Sequence, residues 1–160
     1  MQKINNPFKD LDGYNCFGCA PHNSHGLRLE FYLDDDNTVV AYWNPKDYLQ
    51  GYFNVLHGGI QATLLDEIAG WVVNVLLETG GVTSRLDIRY RKPVLVTDSK
   101  ITLRAKLVNA EKRLADIKCE LYNSAGELCA EANAQYFTYP PEIAKKKLNY
   151  PGIDKFINKR

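Results

Sequence analysis

The stretch Asn54-Val-Leu-His57-Gly58-Gly59-Ile-Gln-Ala62-Thr63-Leu64-Leu65-Asp66-Glu67-Ile68-Ala69-Gly70-Trp71-Val-Val-Asn74-Val-Leu-Leu77-Glu78 decides the fold. Its apolar residues (Leu64, Leu65, Ile68, Trp71, Val72, Val73, Val75, Leu76 and Leu77) cannot share one side of a helix. A helix apolar on nearly every face is a buried helix. It opens on His57-Gly58-Gly59, where missing side chains let a ligand approach the first, unpaired N–H groups. Asp66 and Glu67 interrupt the middle of the rod, and a buried acid costs free energy unless something compensates for it. The centre and start of this helix are therefore the candidate functional residues.

Working outward, strands flank the helix. Leu27 to Leu33 alternates Leu27, Leu29, Phe31 and Leu33 with polar residues, which predicts a half-buried strand. Asp34-Asp35-Asp36-Asn37 predicts a turn and Thr38 to Trp43 a second strand. After Gly80-Gly81, Val82 to Arg91 sets Val82, Ser84, Leu86, Ile88 and Tyr90 against Thr83, Arg85, Asp87 and Arg89, and Pro93 ends the pairing. Three more strands follow over Ile101 to Val108, Leu114 to Tyr122 and Leu128 to Tyr139. The order, two strands, one long helix and four strands, is an α+β solution: an antiparallel sheet of about six strands around one central helix. Residues 1–140 read as a single domain with 1–15 as a lead-in. The lysine-rich segment 141–160 reads as a tail, a short helix or a frayed end.

Totals narrow the function. A net charge of +1 with interspersed signs offers nothing to nucleic acid or an anionic membrane. The first fifteen residues hold no apolar signal region, and the central helix is too polar to span a bilayer. A cytoplasmic setting with four free thiols is the expectation. Cys16, Cys19, His22 and His25 fall at three-residue spacing, a set of zinc-capable side chains. Structural zinc sites draw ligand pairs from two separate places, so the segment is read as a turn-rich loop with no metal.

Leu56-His57-Gly58-Gly59 followed by Ala62-Thr63-Leu64-Leu65-Asp66, supported by Gly81-Val82-Thr83, Tyr90-Arg91-Lys92-Pro93 and Cys16-Phe17-Gly18-Cys19 with Gly26-Leu27, resembles the hotdog-fold thioesterases of the PaaI-like branch. The resemblance implies hydrolysis of acyl-coenzyme A thioesters without metal or cofactor. It implies the Gly58 N–H as oxyanion donor, Asp66 as general base or nucleophile, Thr83 as a hydroxyl that positions water, and His57 as a residue orienting the helix start. The family's amide six residues before the histidine is Gly51 here, with Gln50 and Asn54 as nearby amides. Gly59, and the cationic pairs Arg91–Lys92 and Lys112–Arg113, are the candidates for binding substrate and its phosphates. Taken singly, Asp66 also reads as a structural acid, Glu67 as a structural or supporting one, and Thr83 as an ordinary strand threonine.

Geometry adds a requirement. Gly58 and Asp66 lie eight residues apart in one helix, ~12 Å along its axis, whereas a reacting carbon needs both groups within about 3 Å. Two antiparallel helices in a two-fold dimer satisfy this, so a homodimer, or a dimer of dimers, is expected. The competing readings are a non-catalytic acyl-thioester binding module and a hydratase or dehydratase on the same fold. The latter relies on histidine chemistry for which only His57 is placed.

Overall fold

The computed structural model describes residues 1–158; the last two residues of the 141–160 tail lie outside the described residues. The chain runs β1 (Gln2–Ile4), β2 (Phe31–Leu33), β3 (Val39–Trp43), α1 (Gly58–Leu76), β4 (Gly81–Tyr90), β5 (Ile101–Glu111), β6 (Leu114–Tyr122), β7 (Leu128–Thr138) and α2 (Pro141–Leu148), with short 3-10 turns at Pro7–Asp10, Asp47–Leu49 and Ile153–Lys155. One sheet holds all seven strands in the order β1-β2-β3-β5-β6-β7-β4, and every neighbouring pair is antiparallel. The α+β architecture is the expected one. It has one strand more, because the first residues pair with β2 instead of forming a loose lead-in.

α1 lies across this sheet. Leu64, Leu65, Ile68, Ala69, Trp71, Val72 and Val73 are buried, as are inward residues of the central strands such as Leu103, Ile117, Ala132 and Ala134. The buried helix residues spread around the cylinder, so the sheet alone cannot cover them. The side of Trp71 is closed by Phe31 of the short strand β2, which stacks on it at 4.5 Å, and by Phe156 of the C-terminal segment, which meets it edge-on at 5.7 Å. The 141–158 segment is thus folded onto the domain. Tyr150 donates to the Asn74 carbonyl (3.0 Å), Asn5 N–H donates to the Phe156 carbonyl (2.8 Å), and Phe156 is fully buried.

The predicted strand at 27–33 shortens to Phe31–Leu33. The alternation is real, with Leu27, Leu29 and Phe31 buried. Its upstream partner, however, is a loop: the Leu27 N–H donates to the Phe17 carbonyl and the Leu29 N–H to the Gly18 carbonyl. Arg28 sits at φ 54°, which breaks the extended run. Periodicity reports burial here, not ladder pairing.

At the far side, β4 pairs only with β7 and leaves its other edge open over ten residues. The register slips between Thr83 and Arg85, a β-bulge. It matters for side-chain direction, because one extra residue moves a side chain to the opposite face. Leu86, Ile88 and Tyr90 lie opposite the buried Ala134, Ala132 and Ala130, and Thr83 lies opposite the buried Tyr136. Strict alternation sets Thr83 against Leu86 and Ile88; the bulge brings it to their face, toward α1. Among the described residues, no helix is long and apolar enough to cross a membrane.

Phe156→Ala is expected to lower the unfolding free energy by about 3 kcal/mol, as burial loss plus a cavity beside Trp71. Urea denaturation measures this, and a loss under about 1 kcal/mol would mean the tail does not close the core.

Candidate active site

α1 starts where His57 (φ −55°, ψ 133°) turns the chain and caps it: its Nδ1 accepts from the Gly59 N–H at 2.9 Å. The Ile60 and Gln61 N–H groups both go to the His57 carbonyl. Of the first four helical amides, that of Gly58 is left without an acceptor among the described residues. An unpaired N–H at the positive end of a helix is a ready anion donor. The Gly58 carbonyl accepts from the Tyr90 hydroxyl (2.7 Å), which fixes the helix start against the end of β4. Gly51 packs beneath, since a Cβ there would come within 3.4 Å of the His57 backbone.

Two turns on, Asp66 is half-buried and held by the sheet. Its Oδ1 accepts from the Thr83 hydroxyl at 2.8 Å and from the Tyr136 hydroxyl at 2.7 Å. The Tyr136 hydroxyl is also 2.7 Å from the Asp66 carbonyl. Thr83 and Tyr136 are a cross-strand pair of β4 and β7, so one register position supplies both hydroxyls. Gly70, one turn after Asp66, leaves room for this: a Cβ there would sit 3.4 Å from the Tyr136 oxygen. Burial, and then the nearby Asp66 charge, push the Tyr136 phenol well up, which keeps it a donor. The second carboxylate oxygen, Oδ2, has no hydrogen bond among the described residues and is available to a water or a reacting carbon.

The expected residues therefore fall into two groups within one chain. Asp66 and Thr83 meet; His57, Gly58 and Gly59 form the helix start, ~12 Å away by helical rise. Tyr90 and Tyr136 were not singled out from the sequence. Tyr136 had a readable signal, a tyrosine on the inward phase of β7, but its contact depends on a register that no local pattern sets.

The cationic candidates divide likewise. Arg91 follows β4 and pairs with Glu131 through Nε (3.0 Å) and Nη2 (3.1 Å), and Lys92 pairs with Glu127. Lys112 and Arg113 occupy the β5–β6 turn, where the Arg113 carbonyl accepts from Thr138, which lies opposite Gly81 at the start of β4. The two pairs stand at opposite ends of β4. Gln50 is held within its own loop, where its Oε1 accepts from the Asn54 N–H and its Nε2 donates to the Asp47 carbonyl, whereas Asn54 Nδ2 donates to the Thr97 hydroxyl (3.4 Å).

A cavity of about 390 Å³ opens beside Asp66, walled by Glu67, Trp71 and Tyr136 and by Tyr14, Cys16 and Cys19 of the loop before β2. Burial pushes the Glu67 carboxyl up to about 7. Its Oε1 accepts from the Trp71 indole N–H (3.2 Å) and the Cys16 thiol (3.6 Å). Cys16 is the more acidic thiol, brought down to about 5 by hydrogen bonds from the Cys19 thiol and from the Cys19 and Gly18 N–H groups. Cys19, hydrogen-bonded to Cys16 and buried, is pushed up. The histidines read alongside these cysteines lie elsewhere: His22 is bonded to the Tyr14 carbonyl, and His25 is exposed beside Ser24.

Residues 53–130 match the family model of the thioesterase superfamily. The chain is 30% identical over 124 residues to the acyl-coenzyme A thioesterase THEM4 of Bos taurus, covering 73% of this chain and 49% of that protein. The chain thus spans about half the length of that relative. A thioesterase-like protein of Streptococcus pneumoniae, solved with coenzyme A, superposes with a TM-score of 0.65 at 26% identity, covering 71% of this chain and 87% of that one. PaaI of E. coli has the same fold, with a TM-score of 0.65 at 17% identity over 72% of this chain and 82% of that one.

In Gly18→Ala the new Cβ would lie 2.4 Å from the Glu67 carboxyl, inside any normal contact. The substitution should lower stability by about 2 kcal/mol through overpacking. An unchanged thermal midpoint would mean the loop is free to move away from α1.

Proposed function

We propose, on the premise that residues 53–130 belong to the thioesterase superfamily, that the chain hydrolyses acyl-coenzyme A thioesters at a site shared by two copies. The observation that carries this reading is Asp66, with Oδ1 held by Thr83 and Tyr136 and Oδ2 left unbonded. A carboxylate fixed on one oxygen presents the other in a defined direction, as a general base or nucleophile needs.

In this reading the thioester carbonyl oxygen accepts from the Gly58 N–H of one copy. Asp66 of the second copy takes a proton from a water that attacks the carbonyl carbon. Charge moving onto the carbonyl oxygen meets the helix N-terminus, where a preorganised donor is worth most. Collapse of the tetrahedral intermediate breaks the C–S bond, the coenzyme A thiolate takes up a proton, and the free acid departs. His57 and Gly59 serve by shaping the turn, since the Nδ1–N–H bond between them directs the remaining amide outward.

Three features support a second copy. The rise of α1 separates Gly58 from Asp66 within one chain. The open edge of β4 is a ready surface for antiparallel extension of the sheet. Such pairing would also set the start of one β4 against the end of the other, drawing Lys112 and Arg113 of one copy toward Arg91 and Lys92 of the second. Lys112 and Arg113 have no ion pair among the described residues, so the coenzyme A phosphates would recruit them without breaking one.

Thiol release from a panel of acyl-coenzyme A esters tests the chemistry. Asp66→Asn is expected to lose at least about 100-fold in kcat. Gly58→Pro removes the donor N–H while keeping a residue suited to the first helical position, and should cost about 100- to 1000-fold. Substrate binding without turnover in the wild type, or equal rates for all three proteins, would overturn the assignment. Mixing the two inactive variants tests the sharing. Random re-pairing should restore about a quarter of wild-type activity, because half the dimers then carry one intact site of two. No recovery after verified exchange would refute the shared site.

A further inference from the structure

The proposed hydrolysis uses neither Cys16, Cys19 nor Glu67, yet these three converge on the cavity next to Asp66. One ligand atom from each, two Sγ and a carboxylate oxygen, lie within 4.8 Å of one another. A tetrahedral zinc with ~2.3 Å bonds to sulfur sets two thiolates about 3.8 Å apart, so modest side-chain rotation closes all three onto one ion.

The surroundings are those of a cation site lacking a cationic side chain. Glu67 is mostly buried, its hydrogen bonds come from Trp71 and Cys16, and the ion pairs among the described residues all lie elsewhere. Desolvating a carboxylate with no counter-charge carries a penalty that a bound cation would offset. The indole N–H of Trp71 orients the carboxylate, as the outer partners of metal ligands do. A Cβ built on Gly18 would fall 2.4 Å from the Glu67 carboxyl, so a side chain there would displace the carboxylate. The ligands thus come from two separate places in the chain, a CxxC loop and mid-helix α1, the division expected of a zinc site.

We infer that Cys16, Cys19 and Glu67 bind one zinc ion, with water in the fourth position facing the cavity. Paired thiolates select zinc over magnesium or calcium. Binding releases to solvent the protons that the two thiols and the carboxyl still carry, forms two Zn–S bonds and one Zn–O bond, and involves no change of oxidation state. The ion is a clip: it fastens the loop before β2 to α1 one residue from Asp66. His22 and His25 take no part.

The test is metal content of protein purified under argon, without chelator or histidine tag, after growth with added zinc. About one zinc per chain is expected. Cys16→Ser, Cys19→Ser and Glu67→Gln should each weaken zinc binding by more than the ~10–100-fold typical of residues that only orient ligands. His22→Ala and His25→Ala should retain the metal. Should the ligand variants fail to fold, cobalt added to the metal-free wild type gives an independent readout, a thiolate-to-cobalt charge-transfer band. Absence of that band, zinc well below one per chain, or a Cys16–Cys19 disulfide in the purified protein would overturn the site. So would zinc lost from the histidine variants but kept in Glu67→Gln. None of these readouts depends on hydrolysis, so the metal site and the proposed reaction can fail separately.

Discussion

A helix apolar on most of its circumference has to be enclosed, and nearly every other feature follows from how α1 is enclosed. A sheet covers one side of a cylinder. The remainder is closed by Phe31 of β2 and by the C-terminal segment, through Tyr150 and Phe156 around Trp71, and by the loop that brings Cys16 and Gly18 onto Glu67. One stripe is covered by neither: Gly59, Thr63, Asp66 and Gly70 stay exposed or half-buried beside the open edge of β4. Asp66, with its unbonded carboxylate oxygen, lies on that stripe.

Two adjacent carboxylates illustrate how local enclosure sorts function. Asp66 faces hydroxyls of the sheet and keeps one oxygen unbonded. Glu67, about 100° farther round the helix, faces thiols and an indole on the wall of the neighbouring cavity. The first environment suits a group that must reach a water or a substrate. The second suits a group whose charge is met by something that stays bound. Identical side-chain chemistry one residue apart thus meets two environments, separated by the helix's own rotation.

The sequence made the architecture legible because the strongest signals are local. The apolar run of α1, the glycines at its start and the alternation of the later strands each fix an element without reference to the others. The dyad of Asp66 and Thr83 was reachable only through the resemblance. Alternation set Thr83 against Leu86 and Ile88, and the bulge that brings it to their face leaves no mark in the pattern. Tyr136 was missed because its role depends on cross-strand register. The contact between Cys16 and Glu67 leaves no local mark for the same reason. His22 and His25 are near Cys16 in sequence, whereas Glu67 is near it only in space, once the loop has folded over α1.

The Tyr136 hydroxyl touches both the side chain and the main chain of Asp66. Half of that anchorage is indifferent to residue type, because every amino acid at the position brings the same carbonyl. The bond between helix and strand therefore outlasts exchange of the acid, and the side chain at this position is a replaceable fitting on a mount that the backbone itself provides. A scaffold built this way is free to change its chemistry at position 66 while the surrounding frame stays in place.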